Sequence, residues 1–549
     1  MNWPQLKFGA AFRNIGRYLR ERSAVDSRAL AIFRICAGIL IVADVIARSN
    51  RFTWFYTDNG PVPQELADWI NPPQAFSLFA LTSEPAINAG LFAAKFLIGV
   101  LLIIGYQTRI VTILAFVFVT SLDVRNPFIL SYADTLFRML LLWAMFLPLG
   151  ERWSVDAVLR QAEPRKLITS LAAAVILVQM VYMYVGNGIM KFYGDLWRSG
   201  EATPLIFGLD HMTWGIAHFL RQWPAMLDIG GWLWFVMLVC GWTLIVAPGR
   251  LRMPIIAAFI IAHFSFWITV RIGAFPIVAI AGLTLFLREP FFADVERIYA
   301  WIGKRLPGLR SSAATVRATL ITTAARFPDW HVPALPITHR IAVNLQRAVV
   351  GFLVVIIMLL PPPAFLERGG LFTLGIAAVE DRTGEIPRVF RVNQPPWTVF
   401  APNPRTIDRY YVFPGRTENG EVYDVFADRK LEWSRAFDPL HHMYRHYRDR
   451  FYYESVEIHE PGEPTARYLA EHLCESWESP DGDRLTHINM WVVNEQITRE
   501  TISDYENREV WAERIYRHGC GEHHAMEIDP PDLPREGPEG ARTTYTPGD

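Results

Sequence analysis

Between residues 30 and 360 the chain repeats apolar runs of bilayer-crossing length, and the Lys/Arg-rich connectors fall on every second loop. A stretch of about 18 or more mostly apolar residues reads as a membrane span. On that basis spans are predicted near 30–47, 86–105, 110–122, 135–149, 167–189, 229–247, 254–270, 273–287 and 348–360. The third, eighth and ninth are short, so one or two are expected to tilt or re-enter. The predicted fold class is mainly α, a polytopic α-helical membrane domain of about nine spans followed by a smaller α+β extracytoplasmic domain.

The overall composition conceals this, because 51% hydrophobic residues and a net charge of -1 would also suit a large soluble enzyme. Two unlike parts are being averaged. The chain is apolar up to about Pro363 and charged and aromatic beyond it. The predicted layout is an amphipathic N-terminus (1–28), a transmembrane domain (29–290), a basic loop (291–346), a last transmembrane helix (347–363), an α+β domain (364–528) and a disordered tail (529–549) rich in Pro, Gly and charge.

Basic residues are hard to translocate and mark the cytoplasmic side. They cluster at Lys7, Arg13, Arg17, Arg20 and Arg22, at Arg109, at Arg152, Arg160, Arg165 and Lys166, at Arg250 and Arg252, and from Arg288 to Arg340. The expectation is a multi-pass cell-membrane protein with a cytoplasmic N-terminus and an extracytoplasmic C-terminal domain. The first apolar run is too long for a cleaved leader and lacks a small-residue cleavage pattern, so it is expected to be retained.

That placement sets the reading of the four cysteines. Cys36 and Cys240 lie in spans and serve as small apolar fillers. Cys474 and Cys520 lie on the oxidising side, where a disulfide is favoured over free thiols. Zinc is the weaker alternative despite His472, His518, His523 and His524, since no paired CxxC elements support it. No metal site is expected. In the same domain 408–413, 421–426 and 487–497 read as strands, with a turn at Glu418-Asn419-Gly420-Glu421, and 441–453 and 465–477 read as helices.

Ionisable groups inside spans need a partner, a cavity or a function. Arg34, Asp44, Lys95, Asp134, Arg138, His263 and Arg271 are such groups, and Asp134 and Arg138 are spaced to pair on one helical face. Lys191 differs by its surroundings, Tyr184-Val185-Gly186-Asn187-Gly188-Ile189-Met190-Lys191. Asn187 and Tyr184 lie four and seven residues before it, on the same helical face. Gly186 and Gly188 allow a backbone or ligand close to that face. An amine in a dry pocket loses stabilisation of its charged form and can act as a neutral base. The competing reading is a lysine that snorkels to the headgroups.

Other motif classes are weak. The chain has no Gly-rich phosphate loop, no His-Glu-x-x-His and no Gly-x-Ser-x-Gly. The aromatic-interleaved basic run 445–450 lies on the predicted extracytoplasmic side, so no nucleic-acid partner is expected.

Several residues together resemble the HTTM family, the membrane superfamily that includes vitamin K-dependent gamma-glutamyl carboxylase and many bacterial homologues. They are Phe33-Arg34 with Asp44, Gly105 with Arg109, Trp153-Ser154-Val155-Asp156, Lys191 with Trp197-Arg198-Ser199-Gly200, and His263 with the later Ile272-Gly273-Ala274-Phe275. The segment from Asn393 to Pro404 and the helix with Tyr468, Cys474 and Trp477 resemble the region C-terminal to this domain in bacterial-type members. The resemblance implies that Lys191 is an initiating base and His263 a pocket residue, with Tyr184, Asn187, Trp197 and Arg34 as cofactor-binding candidates. It implies a reduced vitamin K or another quinol as cofactor, and carboxylase/epoxidase-like lyase or oxidoreductase chemistry. Glu151 and Arg152 stand where the carboxylase carries a functional histidine, which narrows the implied chemistry to proton abstraction from, or oxidation of, a lipid-soluble quinol.

Two functional classes remain open. One is a membrane enzyme with Lys191 as base, a lipophilic quinol entering between helices, and an extracytoplasmic peptide or small-molecule substrate. The alternative is a non-catalytic transport, immunity or scaffolding protein in which the same residues hold a polar core.

Overall fold

A computed structural model describes residues 16–18, 20–72, 75–329, 339–359, 389–457 and 463–538. Its longer helices in the apolar part are α1 (Ser27–Ser49), α2 (Pro85–Ile104), α3 (Thr108–Arg125), α4 (Tyr132–Ala144), α5 (Leu171–Phe192), α6 (Pro224–Val239), α7 (Arg252–Thr269), α8 (Phe275–Leu283), α9 (Glu289–Arg305), α10 (Pro307–Ala324) and α11 (His339–Val354). Polar side chains set their starts. Asp26 caps α1 and Ser170 caps α5, while Ser131 and Asp134 form a reciprocal capping box on α4.

Among the described residues five helical stretches are long and apolar enough to cross a bilayer, namely α1, α2, α5, Gly249–Thr269 and Arg340–Met358. Counting the bent pair Phe275–Phe286 and Glu289–Arg305 as one span makes six. The described residues therefore do not confirm the expected nine. The third run lies in α3, which carries Arg109, Asp123 and Arg125; the fourth lies in α4, of 13 residues, and the sixth in α6, of 16. The eighth becomes a helix of nine residues. Hydropathy does not register where a helix breaks, and Pro127, Pro148, Pro224 and Pro276 all fall in first turns or caps.

The two-residue ladder pairing Val25–Asp26 with Leu167–Ile168 sets the starts of α1 and α5 side by side. Arg252 donates to the Arg22 carbonyl and Arg288 to those of Glu21 and Ala24, so α7 begins at this same basic end. One apolar core joins α1, α4, α5 and α8.

The C-terminal domain caps the other end. Helices α12 (Tyr447–Glu457) and α13 (Glu463–Ser476) accompany an antiparallel sheet of β1 (Ile407–Val412), β2 (Pro414–Thr417), β3 (Val422–Asp424), β4 (Arg429–Lys430), β5 (Leu485–Gln496) and β6 (Val510–Gly519). The central β5 pairs with β1 and β2 along one edge and with β6 along the other. Tyr411, Trp491 and Tyr452 of this domain share a core with Val45, Phe55 and Phe92 of the bundle.

A buried ionic network crosses that boundary. Arg48 bonds Asp123 at 2.6 Å and Asp134 at 3.1 Å, Lys95 bonds Asp44 at 2.8 Å, and Arg138 bonds Asp123 at 2.5 Å. Arg448 of α12 reaches Asp44 and Asp134, each at 2.8 Å. The expected Asp134–Arg138 pairing is replaced by these longer-range partners, because a dry interior rewards the arrangement that gives every charge an opposite neighbour.

Other expectations are revised in detail. The turn at 418–421 joins β2 to β3, and the predicted helix 441–453 starts later, at Tyr447. Strand β6 has no counterpart among the predicted strands; its alternation is blurred by a register shift opposite Met490 and Trp491. The basic loop 291–346 carries most of α9 and all of α10. Residues 529–538 of the expected disordered tail lie against the sheet, with the Ala512 amide donating to the Pro534 carbonyl. Cys474 and Cys520 are bonded, their Cα atoms 5.4 Å apart. Residues 1–15 of the predicted N-terminal segment, 330–338 of the basic loop, 360–363 of the last span, 364–388 of the α+β domain and 539–549 of the tail lie outside the described residues.

Candidate functional site

Helix α5 is one uninterrupted apolar run, so its 3.6-residue period holds Tyr184, Asn187 and Lys191 in one row. All three line a cavity of about 280 Å³ whose other walls come from α6, α7 and residues 397–400 of the segment leading into the sheet. Trp197, on the short helix after α5, lines the same space. Close packing shapes it: a Cβ on Gly188 would lie 2.8 Å from the backbone nitrogen of Val239 at the end of α6.

Lys191 is only 1% exposed. Its Nζ donates to the carbonyls of Val399 at 2.8 Å and Phe400 at 3.0 Å, and lies 3.6 Å from the centre of the Trp197 ring. No carboxylate pairs with it among the described residues. Trp197 Nε1 donates to the Phe400 carbonyl at 2.7 Å, and Asn187 Nδ2 donates to those of Trp397 at 2.6 Å and Val399 at 3.1 Å. Three side chains of the bundle therefore hold one stretch of backbone.

That stretch is strained. Trp397 and Phe400 both sit at φ 53, a left-handed conformation that costs a non-glycine residue about 1–2 kcal/mol. Gly194 lets it approach, since a Cβ there would overlap the Pro402 carbonyl oxygen. Tyr132 completes the clamp by bonding Thr398 Oγ1 at 2.7 Å, and Gln179 bonds Gln394 at 2.7 Å.

His263 stands behind the cavity wall. Its Nε2 lies 2.9 Å from the Tyr184 hydroxyl, its Nδ1 has no partner among the described residues, and its ring packs against Trp234, Phe266 and Phe275. Arg34 is the exception. It donates to the Trp153 carbonyl at 2.5 Å, near Gly105 and Ser154, and does not reach the cavity. The parallel starts of α1 and α5 explain why. Arg34 lies 7 residues into α1 and Lys191 20 residues into α5, which at 1.5 Å per residue sets them about 20 Å apart along the bundle.

Residues 22–290 match the family model for the HTTM domain. This is an HTTM-domain protein. No curated protein and no solved structure matches the chain. The HTTM domain supplies Tyr184, Asn187, Lys191, Trp197 and His263, whereas the carbonyls that receive Lys191 lie beyond it. Reasoning from residue types misses those carbonyls because a backbone oxygen leaves no mark in sequence; the run Asn393–Pro404 is the available signal.

Proposed function

We propose that this HTTM-domain protein is an integral-membrane enzyme in which Lys191 takes a proton from a lipophilic, weakly acidic ligand of the quinol class, reduced vitamin K being one member. The observation that carries the reading is a buried amine, without a counter-ion among the described residues, on the wall of an apolar cavity. A bound acid supplies what is missing. As the ligand O–H bond breaks, its electron pair stays on oxygen and the new N–H bond makes an ammonium–oxyanion pair in a medium of low dielectric. Tyr184, its hydroxyl 2.9 Å from His263 Nε2 behind the wall, provides a second polar contact further along the cavity, and the aromatic walls hold the ring.

Entry runs between α6 and α7, whose exposed faces carry Ile229, Leu233, Ile261 and Phe264 beside the lining residues Met226 and Phe266. The basic residues gathered at the starts of α1 and α7 support a cytoplasmic N-terminus, and the Cys474–Cys520 bond supports an extracytoplasmic C-terminal domain in the cell membrane. That domain would present a second substrate, a peptide or a small molecule.

One observation favours a non-catalytic scaffolding reading: both Nζ hydrogen bonds end on the 399–400 backbone, as in a purely structural anchor. Oxidation of a reduced naphthoquinone by dissolved oxygen, which takes the two electrons from the quinolate once its proton has passed to Lys191, decides between them when measured with the protein in lipid nanodiscs. The proposal expects turnover by the native chain and none by Lys191→Ala. Equal turnover by both, or none by the native chain together with no quinol binding, would overturn it.

A further inference from the structure

Helix α9 leaves the bundle at 97° to the Phe275–Phe286 segment. Val295, Ile298, Tyr299, Ile302 and Leu306 recur at i, i+3, i+4, i+7 and i+11, which places them in one stripe, and all five side chains are exposed. The flank of that stripe holds the helix to the bundle: Phe292 is buried under the Arg28 guanidinium at 4.2 Å, and Arg28, at the start of α1, bonds Glu289 at 2.5 Å and Glu296 at 3.4 Å. Asp294 is occupied by Arg250 at 3.1 Å and Arg297 at 3.0 Å. The three acidic residues are thus each in an ion pair within the protein, Arg28 being shared with Asp26, while Lys304 and Arg305 have no carboxylate partner among the described residues.

We infer that α9 lies flat in the headgroup region at the basic end of the bundle, with its apolar stripe in the acyl boundary and Lys304 and Arg305 on anionic headgroups. A spanning role is excluded by its charges. Glu289, Asp294, Glu296, Arg297, Lys304 and Arg305 would all have to enter or flank the hydrocarbon in 17 residues. An amphipathic helix with aromatic and aliphatic residues on one side and unpaired cations beside them matches an interfacial anchor. Trp301, exposed and 4.0 Å below the Arg305 guanidinium, has the amphipathic character that favours that depth.

The test uses the full chain in nanodiscs of phosphatidylcholine with or without phosphatidylglycerol. With Cys36 and Cys240 replaced and the disulfide retained, nitroxide labels are placed at Val295→Cys, Ile298→Cys, Ile302→Cys, Arg297→Cys and Lys304→Cys. The expected result is high oxygen accessibility at 295, 298 and 302 and high accessibility to a water-soluble nickel complex at 297 and 304, with no steady change in depth along the helix. Cross-linking the native chain to a photoactivatable phospholipid is the second measurement, with adducts expected between Val295 and Leu306 and more of them when phosphatidylglycerol is present. Nickel accessibility at all five sites, depth that increases steadily along the helix, or the absence of lipid adducts there would overturn the inference.

Discussion

Lys191 Nζ donates to the Val399 carbonyl oxygen at 2.8 Å, tying the last turn of α5 to a segment 208 residues further along the chain. The same amine is both a clamp on that segment and a wall of the cavity. Lys191→Met keeps the aliphatic stem and leaves the Val399 and Phe400 carbonyls short of a donor. A loss of about 1–3 kcal/mol is expected, read as a lower melting temperature in detergent with unchanged membrane insertion.

Removing a member of the ionic network costs more. Arg448→Ala removes one buried cation shared by Asp44 and Asp134, which keep Arg48 and, for Asp44, Lys95, so thermal unfolding is expected to show a loss of about 3 kcal/mol.

Breaking the covalent link between α13 and the end of β6 acts through the unfolded chain. Cys474→Ser is expected to cost about 2–4 kcal/mol, and reduction of the native protein to cost the same, in melts recorded with and without a thiol.

Acid is expected to loosen the C-terminal domain before it affects the bundle. Burial, reinforced by Arg271, lowers His441 to about 4, and burial with Arg448 nearby lowers His446 to about 4. Both are neutral when folded and titrate at 6.5 when unfolded, so their contribution is intact above pH 6.5 and lost as pH falls from 6.5 through 4. Burial alone would raise the Asp408 carboxyl, but the His211 hydrogen bond and the nearby guanidinium groups hold it below the usual carboxylate range, so it adds a loss only below its ordinary 3.8. Melting temperature measured from pH 7 to 4 is expected to fall throughout, and a flat profile would contradict this assignment.

A one-dimensional pattern encodes period and composition, and only the features built on those are legible in it. The row of Tyr184, Asn187 and Lys191 is readable because a continuous apolar helix keeps its period. The strand at 487–497 is readable because its residues are buried on both faces and strongly β-forming. Depth in the bundle is not readable, which is why Arg34 falls among the candidates alongside Lys191, about 20 Å away along the axis. Partner choice is not readable either: Asp134 meets Arg48 and Arg448 instead of its neighbour Arg138, because a tertiary arrangement decides which charges share a dry site. The span count exceeds the number of long apolar helices among the described residues where proline and capping residues divide an apolar run that composition alone treats as continuous.

The central claim is that the Lys191 cavity holds an acidic lipophile. Mass spectrometry of small molecules co-isolated with the native chain and with Lys191→Ala, after mild membrane extraction, tests it most directly. The account predicts a phenolic or quinone-class lipid at near one per chain in the native protein and its loss from the variant. Equal recovery from both proteins, or only bilayer phospholipid in each, would contradict it.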